Sequence, residues 1–144
     1  MIKNISVEMI KYTAHTLAAK TMSWDEPIPP FETRYPHILE SCLTVPWQKF
    51  DKKYLYHGLI SKAAMLFYLL NKNHPFQNGN KRIAVTALLV FLYLNGKWLK
   101  ADKTELHNFA LWVAQGPAEA KEETVRYTEK FIKRRLIKLN SNPT

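Results

Sequence analysis

Two strongly apolar stretches, separated by a short polar one, decide most of what this chain can fold into. Over residues 52–72 the positions Leu55, Leu59, Ala63, Leu66 and Leu70 recur at helical spacing, and Ile60, Met65, Phe67 and Leu69 widen the stripe almost all round. A second stretch of this kind runs to about Asn95, with Gly96 placed as a left-handed stop. Helices apolar on nearly every side belong at the centre of a bundle. Their longest apolar runs, 63–70 and 83–94 (the latter broken by Thr86), fall short of the ~20 residues a membrane span needs.

The flanks supply amphipathic cover. Val7, Ile10, Ala14, Leu17 and Ala18 predict a first helix over about Val7–Lys20. Residues 21–36 hold Pro27, Pro29, Pro30 and Pro36 and predict a loop, with at most a small hairpin in it. A short helix is expected over His37–Leu43. The sequence Asp102-Lys103-Thr104-Glu105 has the form of a capping box ahead of Leu106, Phe109, Ala110 and Val113. Gly116-Pro117 ends that helix and opens the last, expected to reach about Leu139. The fold expected is an all-α bundle of about six helices in one domain over residues 1–144. No internal repeat and no Gly/Ser linker divides the chain.

Charge and cysteine narrow the setting. Cys42 has no partner for a disulfide or a zinc cage, and the first residues lack the apolar core of a signal peptide, so the expectation is a cytoplasmic protein. A net charge of +9 attracts polyanions: nucleotides, nucleic acid or an acidic protein. Lys130, Lys133, Arg134, Arg135 and Lys138 crowd one late segment, which reads as a solvated helix face near a C-terminus. Nucleic acid is the weaker expectation, because no recognition motif with stacked aromatics accompanies the charge.

The polar stretch between the two apolar helices is His74-Pro75-Phe76-Gln77-Asn78-Gly79-Asn80-Lys81-Arg82. Pro75 drives His74 out of helical geometry, and Asn78-Gly79 suits a tight turn. The amides of about Gly79 to Arg82 then form the electropositive start of a helix. Lys81 and Arg82 there each cost about 0.3–1 kcal/mol against the helix dipole, and a shared anion offsets that cost. Arg82 suits bidentate contact with phosphate, and Lys81 acts as a point charge. His74 beside such an anion can take a proton from an attacking hydroxyl. Taken singly, a histidine before a helix is usually a cap, Asn-Gly is a turn, and Phe76 is core. The combination points to a phosphoryl or nucleotidyl transferase.

The same residues resemble the Fic/Doc superfamily signature, H-x-F-x-[DE]-[AG]-N-[GK]-R. Lys81 and Val85 match the Doc (death-on-curing) branch better than the AMP-transferring Fic branch. The resemblance implies a Fic/Doc helical fold and a toxin of a toxin–antitoxin pair. Its activity would be ATP- and Mg²⁺-dependent phosphorylation of a threonine of elongation factor Tu, which arrests translation. It also implies His74 as general base, Asn80 helping to position phosphate, Lys81 and Arg82 holding phosphate oxygens, Gly79 allowing close approach, and Phe76 packing the loop. The alternatives are a Fic-like AMP transferase and a catalytically inactive binding relative. Asn78 departs from the pattern: it stands where the family has an acidic Mg²⁺ ligand, and an amide is a poor substitute for a hard cation. Self-silencing relatives carry Ser/Thr-x-x-x-Glu, and no Ser or Thr here has Glu four residues on. Inhibition is therefore expected in trans, from an acidic antitoxin. Its expected contacts are the first helix and the 21–36 loop, with Trp24, Phe31 and Tyr35 as exposed anchors.

Overall fold

The computed structural model describes residues 1–21 and 27–139. The two apolar stretches form long helices packed on each other, α3 (Gly58–Lys72) and α4 (Asn80–Leu94). Every residue from Lys62 to Asn71 is buried, as is the run from Arg82 to Leu88. Around this pair lie α1 (residues 7–21), α2 (Pro36–Thr44), α5 (Lys103–Gln115) and α6 (Lys121–Arg135). α1 and α5 pack on α4, and α6 closes over α3. The expected all-α bundle of six helices is what the described residues form.

Local chemistry sets the ends. The Ser6 hydroxyl accepts from the Met9 amide at the start of α1, and the Asp102 carboxylate accepts from the Glu105 amide at 2.8 Å at the start of α5. Gly96, at φ 74°, is the left-handed residue after α4. α1 is not uniform: Ile10–His15 is π-helical between α-helical Val7–Met9 and Thr16–Thr21. The Thr16 hydroxyl donates to the Lys11 carbonyl at 3.0 Å, a five-residue spacing that fits the wider turn.

Three expectations are corrected. Among the described residues the hairpin lies at β1 (Lys49–Phe50) and β2 (Lys53–Tyr54), not in the proline-rich loop. Asp51 and Lys52 take φ of 52° and 67°, the paired positive values of a tight hairpin turn. The helix expected from Lys52 therefore starts at Gly58, and Leu55 is exposed instead of joining its stripe. The last helix stops at Arg135, because β4 (Leu136–Lys138) pairs antiparallel with β3 (Lys97–Leu99). The pairing sets Leu136 opposite the buried Leu99, and the Lys100 amide extends it by donating to the Arg135 carbonyl at 2.7 Å.

The hairpin is moored by a buried cation. Lys62 of α3 is buried, donates to the Tyr56 carbonyl, and lies over the Tyr54 ring at 4.1 Å and the Trp47 ring at 5.0 Å. Burial lowers its pKa from the usual lysine value. No helix among the described residues is long and apolar enough to cross a membrane.

Candidate phosphate site at the start of α4

The polar stretch forms a loop over residues 73–79 and the first turn of α4, pinned between the two central helices. His74 takes φ 49°, so the departure from helical geometry expected ahead of Pro75 occurs at His74 itself. Its side chain is exposed. Pro75 and Phe76 are buried, and the Phe76 ring packs against His15 of α1 (5.7 Å) and Phe31 (5.9 Å).

Asn80 clasps the loop. Its Oδ1 accepts from the Phe76 amide at 3.0 Å and its Nδ2 donates to the Phe76 carbonyl at 2.9 Å. The same Nδ2 lies 3.4 Å from His74 Nδ1, so one buried amide links the loop backbone to the candidate base. The Asn80 side chain thus holds the loop, while its backbone lies in the first turn of α4. This clasp is formed within six residues, yet the motif alone does not reveal it.

Gly79 is the N-cap residue of α4 at φ 77°, ψ 15°, and as a glycine it brings no side chain to cap the helix. Its first turn contains no acidic residue and carries Lys81 and Arg82. Lys81 is partly buried, and Arg82 is 3% exposed. The structure thus brings His74, Gly79, Asn80, Lys81 and Arg82 to one helix start, with the His74 imidazole at the surface and the Arg82 guanidinium inside. A helix start with glycine at its N-cap and two cations in its first turn is chemically suited to an anion.

Mg²⁺ fits these residues less well. The Asn78 Oδ1 accepts from the Gly79 amide at 2.8 Å, so the candidate ligand atom already serves the turn. No cluster of three or more His, Cys, Asp or Glu able to hold a metal occurs among the described residues. The donor set does not fit a protein-held Mg²⁺.

Residues remote in sequence complete the surroundings. His15 Nε2 lies 2.9 Å from the Pro29 carbonyl, and its ring meets Phe31 edge-on at 5.4 Å. The Tyr35 amide donates to the Pro75 carbonyl at 2.8 Å. None of these was marked by a local motif. Of the three expected aromatic anchors, Trp24 lies outside the described residues, Tyr35 is 46% exposed as expected, and Phe31 is not exposed. Phe31 is buried because the Phe76 and His15 rings and the Arg34 guanidinium, 4.2 Å from its centroid, enclose it.

Comparison with known proteins agrees with the motif. The family model described as the Fic/DOC family matches residues 4–92. A curated relative named Toxin Doc, from Mycolicibacterium smegmatis, is 47% identical over 47 residues. Those residues are 33% of this chain and 36% of the relative, so the match spans about a third of that protein. No solved structure matches. With the family model covering well over half the chain and its signature residues gathered at the start of α4, the protein belongs to the Fic/DOC family.

Proposed function

We propose that the chain is a Doc-like toxin that transfers the γ-phosphoryl group of ATP to a protein hydroxyl, on elongation factor Tu. The observation that carries this reading is the start of α4, with glycine at its N-cap, two cations in its first turn, and His74 clasped beside it through Asn80. In this reading the amides of the first turn, Lys81 and Arg82 hold phosphate oxygens of a Mg–ATP substrate. His74 takes the proton of the target hydroxyl as its oxygen attacks the γ-phosphorus. The bond to the β,γ-bridging oxygen breaks and ADP leaves. Such a reaction needs positioning and charge stabilisation more than covalent chemistry from the protein.

The match to a protein named Toxin Doc supports an antitoxin partner. An apolar groove of about 460 Å³ between α1 and α4 is lined by Leu17, Leu89, Val90, Tyr93 and Trp98 among others. It passes Thr86, whose hydroxyl donates to the Arg82 carbonyl at 2.8 Å. An acidic amphipathic antitoxin segment suits such a groove on a chain of charge +9. This supports the expected contact on the first helix.

AMP transfer is the second reading, since the same helix start can hold a nucleotide in the opposite sense. Incubation with elongation factor Tu and either γ- or α-labelled ATP separates the two. Label from γ alone supports the kinase, and label from α supports AMP transfer. No label from either, with nucleotide still bound, supports the inactive binding relative.

A further inference from the structure

We infer that residues 27–35 form a strap that regulates the phosphate site: the strap closes the N-terminal end of α4, and an anionic ligand must displace it to bind. The inference rests on reading that helix start as a phosphate site.

Ile28 is the closing residue. A Cβ built on Gly79 would lie 2.7 Å from Ile28 Cγ1, so Ile28 rests directly against the N-cap of α4, the end an anion must approach. Gly79 is buried, and Arg82 in the same turn is 3% exposed. A guanidinium that holds phosphate has to be reached, and an apolar side chain laid on its helix start obstructs that approach.

Among the described residues the strap is held by separable contacts, including an exposed Lys11–Glu32 ion pair at 3.5 Å. At one end His15 Nε2 meets the Pro29 carbonyl at 2.9 Å. At the other the Tyr35 amide donates to the Pro75 carbonyl at 2.8 Å. Between them Phe31 packs on Phe76 and His15. Pro27, Pro29 and Pro30 have no N–H to donate, so the strap cannot tie itself down through those amides. The same prolines stiffen it, so it moves as a unit. The π-helical segment Ile10–His15 ends on the latch residue, and π turns inside α-helices are frequent at functional sites. Closure lowers apparent affinity in proportion to the closed population.

The test is titration of the full chain with Mg–ATP, comparing the wild type with Ile28→Ala, His15→Phe and Arg82→Gln. His15→Phe keeps a ring against Phe31 and Phe76 but loses the bond to Pro29. Both strap variants should bind at least threefold more tightly than the wild type, and Arg82→Gln should bind more weakly. Hydrogen exchange at the Tyr35 amide should speed up when Mg–ATP is added to the wild type. Binding that depends on Arg82 but is unchanged or weakened in both strap variants overturns the strap and leaves the phosphate site standing. Tight binding unaffected by Arg82→Gln, or no binding by any variant, overturns the phosphate site and the strap together.

Discussion

Asn80→Ala should destabilise the whole domain, not only impair the site, and the magnitude follows from its two bonds to Phe76. The substitution removes the acceptor of the Phe76 amide (3.0 Å) and the donor to the Phe76 carbonyl (2.9 Å). Both orphaned groups belong to a residue that is 2% exposed. An unsatisfied buried polar group costs about 1–3 kcal/mol, and the space left by the amide admits a water that recovers part of this. The expected loss is about 2–4 kcal/mol, or roughly 5–15 °C in Tm for a domain of this size. Urea denaturation followed by far-ultraviolet circular dichroism measures it, with the midpoint shifting and the slope unchanged. Asn80→Asp should also destabilise, because it sets a carboxylate oxygen against the Phe76 carbonyl. A loss below about 0.5 kcal/mol for Asn80→Ala would show that the clasp does not hold the loop.

Three other expectations concern separate parts of the molecule. Burial pushes the Cys42 thiol up to about 12, so the wild type should not react with a thiol reagent at pH 8 until it is unfolded; stoichiometric labelling of the native protein would contradict this. Because the folded state keeps that proton while the unfolded thiol loses it near ~8.5, stability relative to Cys42→Ala should be full below that pH and fall as pH rises toward about 12. Lys62→Met should speed hydrogen exchange at the Leu55 amide, which donates to the Gln48 carbonyl at 2.9 Å beside the hairpin, by removing the hairpin's mooring; unchanged exchange would refute the mooring. Asn78→Asp should tighten Mg²⁺-dependent nucleotide binding several-fold while its oxygen still accepts from the Gly79 amide, and an unchanged Mg²⁺ dependence would exclude position 78 from the metal's surroundings.

What was legible in the sequence was what is encoded locally. The apolar width of α3 and α4, the Asp102 cap and the Gly96 stop each depend on a few neighbouring residues, and each appears where the pattern placed it. The stretch from His74 to Arg82 was legible for the same reason. Hidden were the contacts between segments far apart in the chain. Leu55 fitted a helical stripe, but two positive-φ residues just before it turn the chain into a hairpin, which neither Asp51 nor Lys52 announces by type. Leu136 and Lys138 continued a plausible helix until β3, some forty residues earlier, offered a partner strand. Phe31 read as an exposed anchor because most of its cover is remote in sequence: the His15 and Phe76 rings join the nearby Arg34 guanidinium around it. Ile28 has no motif at all, and only the fold sets it on Gly79.

The central claim is that His74 moves the proton in a phosphoryl transfer staged at the start of α4. His74 is exposed, so His74→Ala should leave the fold intact. Single-turnover transfer of γ-label from ATP to elongation factor Tu tests it most directly. The account predicts transfer by the wild type, slowed about a hundredfold or more in His74→Ala with nucleotide binding retained. Equal rates for the two proteins would contradict it.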